Sequence, residues 1–179
     1  MAAIAEFKRG GIAAAEVGAI VSAAGVAHGT FFFHFPTKEH VLLELERREE
    51  ARMAADLSRA LRKPHGLDMV LEETVRVVRG LERRLGVQLF KDFLALHFST
   101  TKPPDEEWTE HPFVVAVVEK IEEVRTQGET NDRNPSFDNA MFFLLGLYAL
   151  LITTPRTKAI REPMLARYVS TMLHGMTAP

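Results

Sequence analysis

Cysteine is absent from all 179 residues, which excludes a disulfide framework, a thiolate metal site and a cysteine nucleophile. An apolar run near the N-terminus is also missing: MAAIAEFKRGG carries charges where a secretory signal needs uninterrupted hydrophobicity. The most apolar stretch, Ala140 to Ile152, falls short of the about 20 residues that a bilayer requires, so it reads as a buried or interface helix. No membrane partner is therefore expected, and the chain is expected in the cytoplasm. Nor does charge of one sign dominate, since the net charge is −2. The segment Met1–Leu45 holds Lys8, Arg9 and Lys38 against Glu6, Glu16, Glu39 and Glu44. That is not a basic domain, and any nucleic-acid affinity would rest on few cations per subunit.

Patterns that mark enzymes are lacking as well. His28, His34 and His40 are spaced six apart, about 240° round a helix, so they cannot share a metal ion. None of Ser22, Ser58, Ser99, Ser136 and Ser170 stands in a nucleophile elbow, and no glycine-rich loop is built to cradle phosphate. The acidic stretch Glu44–Glu50, interleaved with Arg47 and Arg48, reads as a solvated helix face. The expectation is a non-enzyme with no cofactor and no metal.

What is present is an ordinary globular composition, 46% apolar and 26% charged, in a chain long enough for a real core. Every long periodic segment repeats at helical spacing, and none alternates like a strand for long. A short amphipathic piece with Ile4 and Phe7 breaks at Gly10–Gly11. A second helix is expected from Glu16 to Ala24, closed by Gly25, and a very short third from Ala27 to Phe33. Phe35-Pro36-Thr37 stops the third, with Thr37 placed to cap a long helix from Lys38 to Arg62. Further helices are expected over Leu67–Leu85, Val87–Phe98, Pro112–Thr126, Ser136–Ile152 and Glu162–His174, the last closed by Gly175. The fold class is all-α.

Three short helices with a glycine turn before the last outline a helix-turn-helix. Phe7, Ile12, Val17, Ile20, Val26, Phe31 and Phe35 are its expected small core, by residue type. The third helix then presents Ala27, His28, Thr30, Phe33 and His34 outward, where hydroxyl and imidazole groups can meet phosphates or base edges. The run AAGVAHGTFFFHFPTKEHVL, Ala23 to Leu42, is sharper than the outline. It resembles the signature of the tetracycline-repressor (TetR) family, with Ala-Gly-Val at the turn, Gly-Thr entering the recognition helix, and an aromatic–His–Phe segment leading to Lys-Glu. Ala2-Ala3, Phe7, Gly11-Ile12, Val17 and Ile20 fall at the spacing of the family's first two helices. The chain departs from the family's pattern at Ala15-Glu16, where a threonine pair is usual, and at Phe32, where a tyrosine is usual. It also begins inside the first helix, without the basic arm common there.

The resemblance implies a helix-turn-helix head over residues 1–45 and a helical ligand-binding and dimerisation body over residues 46–179. It implies DNA-backbone contacts from Thr30, Phe32, His34 and Lys38, with Ala27, His28 and Phe33 nearer the bases. It places a cavity for a small, largely apolar ligand between the long fourth helix and the aromatic middle of the chain. Met53, Leu57 and Leu61 would line one side. Phe90, Phe93, Leu94, Trp108 and Phe113 would line the other, with His97 and Gln88 as sparse polar contacts. The same aromatic set at helical spacing also fits plain core.

The last two helices repeat apolar residues at 3–4 spacing, including Phe137, Met141, Leu145 and Tyr148, then Leu165, Tyr168 and Met172. In the family such helices pair with their twofold mates, so a homodimer is implied; packing within one subunit is the other reading. Two functions stay open. One is a ligand-responsive DNA-binding regulator, a repressor acting as a dimer on a palindromic operator in double-stranded DNA. The other is a helical dimer that binds ligand or protein through the same body but not DNA.

Overall fold

The computed structural model describes residues 2–97, 111–128, 130 and 134–177. Among them are nine helices and no strand: α1 (Ala2–Ala14), α2 (Val17–Ala24), α3 (His28–His34), α4 (Lys38–Ala60), α5 (Leu67–Leu85), α6 (Val87–His97), α7 (Pro112–Thr126), α8 (Ser136–Thr153) and α9 (Lys158–Thr177). The chain divides into two compact units. One is Met1–Glu49 with Gly80–Asp105; the other is Glu50–Arg79 with Glu106–Pro179.

In the first unit α1 packs on both α2 and α6, and α2 turns through 104° into α3. That angle is typical of a helix-turn-helix. Phe7, Ile20, Val21 and Phe31 are buried at its centre. Ile12, Val17 and Phe35 are half-buried, whereas Val26 is 42% exposed, against the expectation that it is core. The cause is local: Val26 borders an apolar groove of about 280 Å³ whose other walls include Ala2, Ala3 and Ala24, residues too small to cover it.

The solvated reading of Glu44–Glu50 holds for part of that stretch only. Arg47 and Arg48 are exposed and both hydrogen-bond Glu44. Glu46 and Glu50, one turn apart, are each only 4% exposed. They fall on the same inward stripe as Leu42, Leu45, Met53 and Leu57, so helical register overrides residue type there.

The second unit is built on α7, α8 and α9, with α8 packed on both of the others. Pro112 occupies the first turn of α7, where its missing N–H costs nothing. α8 is 18 residues long, longer than its apolar centre, and long and apolar enough to cross a membrane by composition alone. Half of it is buried inside the fold. Its C-terminal carbonyls would be left without helical partners. The guanidinium of Arg161, itself buried, donates to two of them, Leu151 at 3.0 Å and Thr154 at 2.6 Å. α9 therefore starts at Lys158, ahead of the expected Glu162, and runs through Pro163 and Gly175 to Thr177. Gly175 does not close the helix as expected, since its φ is not positive.

α8 and α9 approach closely at Gly146. A Cβ there would overlap the Tyr168 hydroxyl, so only glycine fits. The Tyr168 ring stacks on Phe143 at 5.5 Å, and its hydroxyl donates to the Phe143 carbonyl at 2.7 Å. Burial pushes the Tyr168 hydroxyl from its ordinary value near 10 up to about 12. Its raised value means that its contribution is fully present below pH 10 and is lost as pH rises towards 12. Tyr168→Phe should cost about 1 kcal/mol at neutral pH by loss of the hydrogen bond. Thermal midpoints from pH 9 to 12 should then fall more steeply for the parent than for the variant; parallel curves would contradict this account of Tyr168.

Candidate nucleic-acid interface

The orientation of α3 is set by two turns. The first is the break in α1 at Gly11, whose φ of 80° lies in the left-handed region. A Cβ at Gly11 would also sit 2.9 Å from Gln88 Cγ and 3.0 Å from Asp92 Oδ2, so glycine is required both by conformation and by space. Beyond the break, the Ile12 N–H donates to the Asp92 carboxylate at 2.8 Å. Gln88 donates to the other oxygen of the same carboxylate at 3.0 Å. At the far end of the turn, the Lys38 ammonium donates to the carbonyls of Ala13 at 2.9 Å and Ala15 at 3.0 Å. Thus one N–H at the break faces an anion, and two carbonyls of the turn face a cation.

The second turn closes α2. Gly25 takes φ 67°, and the N–H groups of Gly25 and Val26 return to the carbonyls of Ser22 and Val21. α3 then begins at His28 and is pinned by one inward side chain, Phe31, which is 6% exposed. Phe32 meets the Phe31 ring edge-on at 5.4 Å, and Phe35 lies 5.7 Å from it.

Every other predicted contact residue of this segment points to solvent: Ala27, His28, Thr30, Phe32, Phe33 and His34 are all exposed. Lys38 is half-buried and holds the first turn together, a task that its position at the start of α4 did not suggest. Glu16 is exposed at the N-cap of α2 in extended conformation, with no cap bond from its side chain. Among the other cations of this region, Arg9 pairs with Glu6 at 2.6 Å, and Arg48 with Glu44 at 2.6 Å. That Arg48 contact, more than any other, holds the Glu44 carboxyl below its ordinary value. The surface around α3 is accordingly rich in aromatic and imidazole groups, and Lys38, Arg9 and Arg48 are each engaged within the chain.

The residues expected to line a ligand cavity are buried where described. Met53, Leu57, Leu61 and Phe113 belong to the second unit, and Phe90, Phe93 and Leu94 to the first. The His97 side chain and Trp108 lie outside the described residues. Gln88 is exposed on α6 and engaged with Asp92. Sequence reasoning missed a buried polar pair in the second unit, His111 and Glu50, 2.8 Å apart and 6% and 4% exposed. His111 immediately precedes a proline in a polar loop, and Glu50 sits among other glutamates, so neither letter stood out.

Of the residues expected at a subunit interface, Met141, Tyr148 and Leu165 are buried in the core of the single chain, and Tyr168 is turned onto α8. Leu145 and Met172 are half-buried, and Phe137 is 37% exposed. The most exposed apolar side chain on α8 is one that was not singled out, Phe142, at 61%. Its helical neighbours outward are Leu145, Ala149 and Ile152, a signal that the 3–4 spacing carried once the inward face was known.

Residues 1–45 match the family model described as bacterial regulatory proteins, tetR family. The whole chain is similar in fold to a tetR-family regulatory protein from Rhodococcus RHA1, with a TM-score of 0.68 and 16% identity, covering 99% of this chain and 94% of that one. It is also similar to the fatty acid degradation regulator FadR from Bacillus halodurans, with a TM-score of 0.69, 16% identity, and 97% and 95% covered. GusR of Salmonella enterica gives a TM-score of 0.63, 18% identity, and 100% and 95% covered. No curated protein matches the chain by sequence.

If the first turn is held as described, removing either partner leaves backbone groups without their bond. Lys38→Met and Asp92→Ala should each lower stability by about 1–3 kcal/mol, read from urea unfolding. Losses under about 0.5 kcal/mol for both, the range of inert surface changes, would show that neither side chain braces the turn.

Proposed function

We propose that the chain, whose residues 1–45 match the tetR family model and whose fold is similar to that of a tetR-family regulatory protein, is a ligand-responsive transcriptional repressor of that family. It acts in the cytoplasm as a homodimer on a palindromic operator. The observation that carries this reading is the presentation of α3, which buries Phe31 alone and turns His28, Thr30, Phe33 and His34 outward on a braced helix-turn-helix. Thr30 and His34 supply phosphate or base-edge hydrogen bonds, and Ala27 and His28 lie at the end of the helix that enters the groove first. Lys38 has one N–H left beyond its two carbonyl bonds, and it offers that one to phosphate.

Dimerisation is assigned to the outward stripe of α8, Phe142 with Leu145, Ala149 and Ile152, joined by Phe137 and Met172. A ring as exposed as Phe142 gains about 1.5–3 kcal/mol when covered, which favours a partner on that face. The ligand is small and largely apolar. Met53, Leu57 and Phe113 supply apolar wall, and the buried Glu50–His111 pair supplies the polar contact first expected of His97. α4 runs without interruption from Lys38 to Ala60, so a ligand pressing on Met53 or Leu57 acts on the same helix that begins with the brace. A preference of about 1–3 kcal/mol for one setting of that helix is enough to switch operator affinity.

Selection of bound fragments from the source genome tests the reading. It should enrich a palindrome whose half-sites lie about one helical turn, or 34 Å, apart. Failure to enrich any sequence, even at low salt, would favour the helical dimer that does not bind DNA. Phe142→Glu should yield a folded monomer in sedimentation and lower affinity for the enriched site at least tenfold; a variant that remains dimeric would remove α8 from the interface.

A further inference from the structure

Phe33 is the most exposed large apolar side chain among the described residues, at 84%, against 47% for its neighbour Phe32. Its place on α3 explains why. With about 100° between successive helical residues, Gly29 and Phe33 fall opposite the buried Phe31, on the arc farthest from the core of the head. Gly29 has no side chain, and a Cβ built there would meet nothing within 4 Å. The Phe33 ring therefore projects from the outward face, open on the side of Gly29. Phe32 rests edge-on against the buried Phe31, whereas Phe33 meets the exposed His34 ring, at 5.1 Å.

Resting on the DNA-binding reading above, we propose that Phe33 selects a thymine: its ring packs on the C5-methyl of one thymine in the major groove of each half-site. The base edges in that groove display hydrogen-bond donors and acceptors, and thymine adds the one methyl group. A phenyl ring can satisfy none of the polar groups, and covering them without a partner bond is unfavourable. Against a thymine methyl it excludes water from apolar surface on both sides. The engagement of Lys38 and Arg9 within the head adds weight to this contact, because the phosphate attraction these two supply is reduced and base contacts contribute more to the affinity. Thr30 and His34 are exposed together on one side of the ring and fix its register through polar contacts.

Replacing thymine with deoxyuridine tests this, because it removes the methyl group and leaves every hydrogen-bonding group in place. On the enriched operator, each thymine of one half-site is replaced in turn and binding is measured by fluorescence anisotropy. One position should weaken the parent about three- to tenfold per half-site, as expected for one methyl contact. Phe33→Ala should bind the thymine operator more weakly and lose that sensitivity, whereas Phe33→Leu should retain part of it. Circular dichroism checks that these exposed-site variants keep the parent fold. The proposal is overturned if no uridine substitution weakens the parent, or if Phe33→Ala keeps the same uridine penalty. It is equally overturned if Phe33→Ala matches the parent on both DNAs. If the parent binds no DNA at all, the DNA-binding reading itself fails, and that result is separate from the other three.

Discussion

At the break in α1 and the turn into α2, two charged side chains bond one backbone N–H and two carbonyls, and the presentation of α3 depends on these bonds. The solution is electrostatically matched: Asp92 accepts from Ile12, and Lys38 donates to Ala13 and Ala15. Gly11 makes it possible by taking a left-handed φ beneath Gln88 and Asp92. α2 leaves this turn in a fixed direction and, after Gly25, sends α3 off at 104° with one aromatic anchor. A charged side chain bonded to backbone contributes about 1.5–3 kcal/mol, well above an exposed ion pair. This brace thus has more weight in the head than the pairs Arg9–Glu6 or Arg48–Glu44.

The same arrangement bears on function. A lysine that holds the turn offers less to phosphate, and the arginines nearby face carboxylates. Under the DNA-binding function proposed above, attraction to the DNA backbone through these side chains is reduced, and selectivity falls on what α3 displays: hydroxyl, imidazole and phenyl groups. The brace also adds a charged hydrogen bond to the packing of α6 on α1.

Much of the fold was legible because it follows from periodicity and punctuation. The spacing of Leu67, Val70, Leu71, Val78, Leu81 and Leu85 marks α5 without ambiguity, and Gly11 and Gly25 mark the two turns. The exposure of His28, Thr30 and Phe33 followed once Phe31 was read as the anchor. What escaped was long-range or depended on a partner. Asp92 is far from Ile12 in sequence, and nothing local announces the bond. Glu46 and Glu50 carry polar letters but sit on a buried stripe, whereas Val26 carries an apolar letter beside alanines too small to cover it. The early start of α9 rests on Arg161, whose reach to the α8 carbonyls only the folded chain reveals.

The brace is tested most directly by amide hydrogen exchange at Ile12 in the free protein. The bond to Asp92 should protect this amide to the same degree as the core amides of α2, because it opens only when the head does. Exchange at the rate of an unprotected peptide would contradict the account, since α3 would then owe its orientation to packing alone.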